Sequence, residues 1–266
     1  MAEFTVKDIQ ALRQETGAGM MDAKRALTES DGDFDAARKW LREHGLAKAA
    51  GRTDRDSSEG VVAIAVAGST AGLVELKCET DFVAKSDSFA PFADELAEAL
   101  ANGGDDALAA FEDRVDDLKV RLKENISIGR TARLEAADGA IIGTYVHRQD
   151  GRGVNAVAVA LSGGTDELAH DIAVHIAFTK PTAVTRDDVP AEEVAAERAA
   201  LEDITRAEGK PEAAMGKIVD GRLSGWFAER VVLEQKYVKD EKQTIAKLLD
   251  AAGAELVAFA QIVVGS

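Results

Sequence analysis

Residues 60–89, GVVAIAVAGSTAGLVELKCETDFVAKSDSF, contain the pattern that decides the fold of this chain. They predict a strand over 61–67, a turn GSTAG at 68–72 and a second strand over 73–78. A short glycine-bearing turn between two apolar, β-branched runs is typical of an antiparallel hairpin. A loop and a helix that runs to about residue 101 follow, so we expect a sheet covered by a helix.

The same order of elements recurs later in the chain as a diverged internal repeat. Residues 139–181 predict a strand, a turn RQDGRG, a strand, a loop SGGTDE and a helix. The strands and the helix span 140–147, 154–161 and 168–178. A helix over 115–124 and a strand around 126–134 join the two copies. The repeat therefore predicts an α+β protein with two similar subdomains, each an antiparallel sheet covered by helices.

Ahead of the repeat, residues 5–45 predict three short helices. Thr5 can cap the first helix, with Asp8 three residues later. The sequence TGAG at 16–19 ends that helix, and Gly45 is suited to terminate the third. A unit of this size has a thin core, which favours a docking module over a catalytic one.

Met20 and Met21 open the second of these helices. Packing in the core and contact with another protein are both open for this pair. Adjacent helical positions point about 100° apart, so one of the two side chains should face outward. An exposed, flexible thioether suits a protein contact.

Residues 190–230 predict an antiparallel helical hairpin with its turn at 208–211. Packing against the body and contact with a partner, including use as a dimerisation arm, both fit this hairpin, and the sequence favours neither. A helix over 243–252 and a strand over 255–264 follow. Because both faces of this strand are largely apolar, we expect it inside a sheet rather than at an edge.

Charge divides the chain into two parts. Its 266 residues include 32 basic and 48 acidic side chains, for a net charge of −16, which argues against non-specific binding to nucleic acid. Residues 1–55 hold ten side chains of each sign, so the whole net charge lies in 56–266. The polar stretch GRTDRDSSEG at 51–60 has the composition of a linker between the two parts.

The sequence also predicts where the protein resides. No apolar run approaches the ~20 residues that span a bilayer, and the N-terminus, MAEFTVKDIQ, lacks the pattern of a signal peptide. The single cysteine excludes an internal disulfide framework and fits a reducing compartment. We therefore expect a cytoplasmic protein with no membrane contact.

Motifs for bond chemistry are missing from the sequence. It contains neither GxxxxGK[ST] nor GxSxG, and its four histidines show no metal-ligand spacing. Cys78 falls in a predicted strand, which favours a buried structural thiol over a nucleophile. We therefore expect no catalytic residue, no metal ligand and no cofactor.

Thr80, Asp81, Phe82 and Val83 follow the second predicted strand directly. Thr80 can cap a short helical turn, and Asp81 favours its N-terminus through the helix dipole. Phe82 then lies at the rim of the sheet, where two interpretations are open. It folds back to staple the loop, which spacing alone favours, or it is exposed as a wedge that fills an apolar pocket of a partner.

Seven stretches, in this order, make the chain resemble the bacterial elongation factor Ts family, and the resemblance extends from residue 1 to 265. They are TGAGMMDAKRAL (16–27), ESDGDFDAARKWLREHG (29–45), CETDFVAKSDSF (78–89), KENISIGR (123–130), HIAFTKP (175–181), EGKPE (208–212) and IVDGRL (218–223). The resemblance implies a three-helix, UBA-like N-terminal module, a core of two pseudo-repeated subdomains and a helical hairpin. The corresponding domains are 1–55, 56–138 and 139–266, with the hairpin 190–230 inserted in the last.

The resemblance also implies a function, guanine nucleotide exchange on elongation factor Tu without bond chemistry. Thr80, Asp81, Phe82 and Val83 match the family element that displaces magnesium from the nucleotide site of Tu, where the Phe wedges between side chains of the partner. The module with Met20 and Met21 resembles one that docks on the GTPase domain of Tu. The second subdomain resembles the part that grips the third domain of Tu.

Leu122 occupies the place of a family apolar residue near the phosphate-binding loop of Tu. The sequence also departs from the family pattern in three ways. Ala23 replaces a frequent Cys, which should be neutral in a helix core. Lys123 stands where many members have Gly, which affects the local backbone and the Leu122 contact. The chain stops at Ser266, so we expect the additional C-terminal helix of some members, and its contact to Tu, to be missing.

Two other classes of function compete with nucleotide exchange. The first is an adaptor or chaperone-like protein that binds a partner through the N-terminal module and the hairpin without exchange activity. The second, ranked far behind, is a hydrolase that uses one of the many chance pairs of carboxylates. A homodimer through the hairpin or the core is also compatible with the sequence.

Overall fold

The computed structural model describes residues 4–266 of the chain. The predicted N-terminal module starts at residue 1, so its first three residues lie outside the described part. Within that part the chain is a mixture of helices and antiparallel sheets, which confirms the predicted α+β class. Of the helices between residues 4 and 266, none combines the length and the apolar character needed to cross a bilayer.

Three helices form the N-terminal module, α1 Val6–Thr16, α2 Met20–Glu29 and α3 Phe34–Ala50. Thr5 caps α1 in a capping box with Asp8, as predicted. Gly17 ends α1 with a left-handed backbone at φ +70°, which glycine adopts without a steric penalty. The Asp33 carboxylate accepts a hydrogen bond from the backbone N–H of Ala36 and so caps α3. The small core of the module consists of Ile9, Leu12, Ala23, Ala26, Leu27, Ala37 and Leu41.

The first sheet has three antiparallel strands in the order β1-β2-β3. Its elements are β1 Glu59–Ala67, β2 Thr70–Cys78, α4 Asp81–Ala84, α5 Phe89–Gly103, α6 Asp105–Leu108, α7 Glu112–Leu122 and β3 Ser127–Glu135, with a 3₁₀ turn at Ala109–Phe111. Helix α5 covers one face of the sheet. Gly72 allows this close approach, because a Cβ at that position would lie 2.6 Å from backbone atoms of Ala97 and Ala101.

Helix α3 does not end at Gly45, contrary to the prediction, but continues through it. A Cβ built on Gly45 would lie 2.5 Å from Cγ1 of Val120, so the glycine allows α3 to pack closely on α7. Arg42 on α3 supports this contact with ion pairs to Asp113 and Asp117, at 2.7 and 3.8 Å. Gly45 is therefore a packing residue in the contact between the N-terminal module and the body.

The second sheet repeats the arrangement of a hairpin covered by a helix, as predicted, in the strand order β4-β5-β8. The remaining elements are β4 Ile141–Gln149, β5 Arg152–Ser162, α8 Asp166–Thr179, α9 Ala191–Ala207, α10 Glu212–Arg230, β6 Lys236–Tyr237, β7 Asp240–Thr244, α11 Ile245–Ala251 and β8 Glu255–Val263, with 3₁₀ turns at Arg186–Asp188 and Val232–Glu234. Helix α8 packs on this sheet where Gly143 faces Ala169. The small β6-β7 hairpin was not predicted, since two residues of β6 are too few to show an alternating pattern.

Strand β8 lies at the edge of its sheet, so the prediction that it lies inside a sheet is wrong. Its two apolar faces have another cause, because the two sheets stack face to face. Ile262 packs between the sheets, whereas Leu256 packs on the side of α8. The residues buried between the sheets are Val62, Ala71, Leu73, Leu134, Ala156, Ala158, Ala160 and Ile262.

Helices α9 and α10 form the predicted antiparallel hairpin. Arg198 on α9 pairs with Asp220 on α10 at 2.8 Å, and this pair joins the two helices. Leu223 and Phe227 of α10 are buried in a cluster with residues of the segment that follows α8. Packing on the body thus accounts for one part of the hairpin, while Ile204 of α9 is exposed.

Candidate functional site

Thr80 begins a one-turn helix, α4, directly after strand β2. Its backbone is extended, and its hydroxyl accepts a hydrogen bond from the N–H of Val83 at 3.4 Å, as predicted for an N-cap. Val83 is half-buried, and Ala84 is fully buried in the core beneath the first sheet. These contacts anchor α4 on the body through its cap and its last two residues.

Phe82 is exposed, with 83% of its surface accessible. The staple interpretation, which spacing alone favours, is therefore wrong. Successive residues of a helix point about 100° apart, so the turn that buries Val83 and Ala84 directs Phe82 toward solvent. A large apolar ring in this position is available to a partner.

Glu124, in the connection from α7 to β3, holds the start of α4. Its Oε2 accepts hydrogen bonds from the backbone N–H groups of Glu79 and Thr80, at 3.0 and 3.1 Å. Its Oε1 accepts a third, from the Thr80 hydroxyl. Sequence reasoning placed Glu124 in the KENISIGR stretch but gave it no role. The feature that could have indicated this role is the position of Glu124, a carboxylate two residues after the end of helix α7.

Asn125 and Glu79 extend this network to the linker. The side-chain amide of Asn125 donates to the carbonyl oxygens of Thr53 and Arg55, at 3.1 and 2.8 Å. The backbone N–H of Asn125 donates to Glu79 at 2.6 Å. The segment between α3 and β1 is thus tied to the loop that carries Thr80.

An ion-pair network flanks α4 on its exposed side. Lys85 Nζ lies 2.8 Å from a carboxylate oxygen of Asp81 and 3.2 Å from one of Asp150, in the turn between β4 and β5. The hydrogen bond from Lys85 lowers the pKa of Asp81, and the bonds to Asp81 and then Asp150 raise the pKa of Lys85. Asp81 is therefore a carboxylate and Lys85 an ammonium at neutral pH.

Cys78 is buried at the end of β2, and its thiol donates to the carbonyl oxygen of Thr80 at 3.2 Å. Burial first, and the charge of Glu124 second, raise the pKa of this thiol to about 12. A thiol with such a pKa is not a nucleophile at neutral pH. In the part of the chain that the structure describes, no group of three His, Cys, Asp or Glu side chains is arranged to hold a metal ion.

Met20 and Met21 both face solvent, at 41% and 73% exposure, so core packing is excluded for the pair. They begin α2 in the N-terminal module, whereas Phe82 lies on the body. Leu122, at the end of α7, is half-buried and packs against the same core cluster as Val83. Leu122 and Val83 thus pack on one common core of the body, whereas the two methionines lie on a separate unit.

Phe178, at the end of α8, is a second exposed aromatic residue, and sequence reasoning missed it. It is 78% exposed and lines a groove of about 590 Å³ that also includes Gln149 and Val263. The helical stripe that faces the core contains Ile172 and Ile176. Phe178 lies two residues beyond Ile176 and outside that stripe, which is the signal that could have identified it.

Comparison with known proteins gives one consistent result. The family described as "Elongation factor TS" matches residues 79–266. Among similar proteins, an elongation factor Ts of Renibacterium salmoninarum is 44% identical, one of Micrococcus luteus 43% and one of Kineococcus radiotolerans 42%. In each case the match covers 100% of both chains.

Proposed function

Because the chain belongs to the elongation factor Ts family, and so to the translation elongation factors, we propose that it is a guanine nucleotide exchange factor. In this proposal it binds elongation factor Tu in its GDP-bound and nucleotide-free forms. It promotes release of GDP by displacing the magnesium ion, and GTP then loads. It acts by binding, without bond chemistry, in the cytoplasm and without contact to nucleic acid.

The exposure of Phe82 is the observation that carries this proposal. A solvent-facing phenyl ring on an anchored one-turn helix can enter an apolar pocket of a partner with little rearrangement of its own backbone. Buried aromatic anchors at interfaces commonly contribute more than ~2 kcal/mol. Asp81, the residue before Phe82 on the same helical turn, places a negative charge next to the ring.

Exchange by binding follows from thermodynamic linkage, because this protein and GDP both bind to Tu and each affects the affinity of the other. If this protein weakens the binding of GDP and magnesium, then GDP must weaken the binding of this protein by the same factor. Each tenfold loss of GDP affinity requires about 1.4 kcal/mol of contacts that the nucleotide-bound partner does not make. Insertion of Phe82 at the magnesium site would supply part of this energy.

Other apolar side chains, two of them exposed methionines, extend the proposed contact. Met20 and Met21 would dock the N-terminal module on the GTPase domain of Tu, since both are exposed on α2. Leu122 would lie near the phosphate-binding loop. Phe178 and its groove would serve the contact of the second subdomain.

Release of a fluorescent GDP from the cognate Tu, followed by stopped flow, tests the proposal. Acceleration by substoichiometric amounts of this protein is the expected result, because an exchange factor turns over. A complex that forms equally well with and without GDP, and leaves the release rate unchanged, would instead establish the adaptor function.

A further inference from the structure

The Glu124 carboxylate accepts three hydrogen bonds at the residues that lead into α4, and none of the three comes from a cation. Two come from the consecutive N–H groups of Glu79 and Thr80 and one from the Thr80 hydroxyl. These groups precede α4 and lie beyond the β1-β2 pairing, which ends at Cys78. Glu124 thus supplies the acceptors that the end of the strand lacks.

The position of Phe82 depends on these bonds through Thr80. The Thr80 hydroxyl donates to Glu124 and accepts from the Val83 N–H, so a single oxygen links Glu124 to the first turn of α4. Loss of the carboxylate leaves that hydroxyl free to rotate and the cap without a fixed direction. Phe82 lies inside this turn and makes few contacts that would hold it otherwise, since it is 83% exposed.

We infer that Glu124 is a positioning residue that fixes the direction in which α4 presents Phe82. The inference rests on the proposed function, because it assigns to Glu124 the preorganisation of the exchange step. Binding to the partner through other surfaces does not require it. Glu124 therefore acts on the maximal rate of exchange rather than on the affinity of the complex.

The first measurement uses this protein alone. In Glu124→Ala, amide hydrogen exchange at residues 79–83 should accelerate at least tenfold. Asn125→Ala is the matched control, because it removes the neighbouring side chain, which holds the linker, and keeps all three bonds of Glu124. Equal protection of residues 79–83 in wild type and Glu124→Ala would overturn the inference.

The second measurement is GDP release from Tu at saturating and subsaturating concentrations of each variant. We expect Glu124→Ala to lower the saturating rate about tenfold and to change the half-saturating concentration less than twofold. Glu124→Gln should recover part of the rate, because its amide oxygen still accepts from backbone N–H groups. A higher half-saturating concentration with an unchanged saturating rate would overturn the inference.

The double variant separates positioning from direct contact with the partner. If Glu124 acts only through Phe82, adding Glu124→Ala to Phe82→Ala slows exchange no further, whereas independent effects would multiply. A multiplied loss contradicts the inference. If wild type itself fails to accelerate GDP release, the proposed function fails, and hydrogen exchange at 79–83 alone decides whether Glu124 holds α4.

Discussion

Phe82 combines an exposed aromatic ring with a backbone that is held on both sides. Thr80 anchors the turn before the ring, and Val83 and Ala84 anchor it afterwards. Thr80 and Asp81 predict a short helical turn here, but spacing alone favours a ring folded back on the loop, and the ring is instead exposed. The direction of the ring is set by Glu124, which lies more than 40 residues away in sequence.

Phe82→Ala should slow GDP release markedly while leaving the fold intact. The ring is exposed, so its removal costs little stability, but loss of an aromatic anchor of ~2 kcal/mol corresponds to about a thirtyfold lower saturating rate. Stopped-flow release and the thermal midpoint measure the two effects. Phe178→Ala removes the other exposed aromatic ring, which the proposal places in the contact of the second subdomain, so it should raise the half-saturating concentration and keep the saturating rate within about twofold. Unchanged kinetics of Phe82→Ala would refute the wedge.

Lys123 stands where the family resemblance leads one to expect glycine, and its backbone conformation shows how the chain accommodates a lysine there. It ends α7 in the left-handed conformation at φ +59°, where glycine meets no steric penalty and a lysine does. The lysine nevertheless adopts the left-handed backbone that glycine favours, between Leu122 and Glu124. The resemblance alone does not reveal this outcome, because it gives the residue and not its φ angle.

Lys123→Gly should therefore stabilise the protein, by about 1 kcal/mol. The expected observation is a higher urea midpoint at an unchanged m-value. Arg121→Gly, in the last turn of the same helix, is the control and should destabilise the protein by up to about 1 kcal/mol, since glycine has a low helix propensity and would remove the Arg121 side chain that lies against Gly17. A lower midpoint for Lys123→Gly would show that the lysine side chain makes a stabilising contact that outweighs backbone strain.

The helices and strands show which features local patterns can predict. Caps, hairpin turns and apolar periods identify the three N-terminal helices, both hairpins of the repeat and the α9-α10 hairpin. They fail at Gly45, where low helix propensity suggests a terminus while the packing of α3 on α7 requires a missing side chain. They fail at β8 because two apolar faces reflect stacked layers as well as a central position in a sheet.

The same substitution should have opposite effects in two helices. Gly45→Ala places a methyl group against Val120, and overpacking costs ~1–3 kcal/mol, which exceeds the helix-propensity gain of up to ~1 kcal/mol. Gly221→Ala, on α10, meets no atom within 4 Å and should stabilise by ~0.5–1 kcal/mol. Urea unfolding of both variants measures the difference.

A second substitution identifies the cause of the Gly45→Ala loss. Val120→Ala makes room on α7, so the double variant Gly45→Ala/Val120→Ala should recover part of the stability lost by Gly45→Ala. If the double variant is instead the sum of the two single losses, the methyl group does not act through Val120, and the packing argument for Gly45 fails.

At the scale of the whole molecule, the two sheets stack on each other, and sequence patterns do not predict this stacking. The alternation of apolar residues predicts two sheets with helices on them, but residues such as Leu73 and Ala158 meet only in the folded chain. The domain limits at 55/56 and 138/139 and the possible homodimer stay predictions. The α3-α7 contact and the sheet stack show that the predicted units pack extensively on one another.

An ion pair between a buried carboxylate and a partly exposed guanidinium joins the first sheet to the last residues of the chain. Glu75 on β2 is only 4% exposed and receives two hydrogen bonds from the guanidinium of Arg130 on β3, at 3.0 and 3.1 Å. Arg130 also donates to the hydroxyl of Ser266, and the N–H of Gly265 donates to Glu75. Burial raises the pKa of Glu75, but the bonds and charge of Arg130 outweigh it, so the pKa is lowered overall.

Arg130→Met should reverse the pH dependence that Glu75 imposes on stability. In wild type the lowered pKa means that the contribution of Glu75 is present above its ordinary pKa of 4.5 and is lost only as the pH falls through the lowered folded value. Without the Arg130 guanidinium, burial outweighs the two remaining backbone hydrogen bonds, from residue 130 and Gly265, and raises that pKa, so the variant gains stability as the pH falls from about 7 toward 5. We expect a loss of ~2–3 kcal/mol at pH ~7, since a buried carboxylate is left unpaired, and a smaller loss at pH ~5.

Urea unfolding at both pH values measures this dependence of the stability on pH. The control is Glu75→Leu/Arg130→Met, which removes the charge and with it the difference between pH values. A constant gap between Arg130→Met and wild type would show that Arg130 stabilises the molecule by packing rather than by its charge.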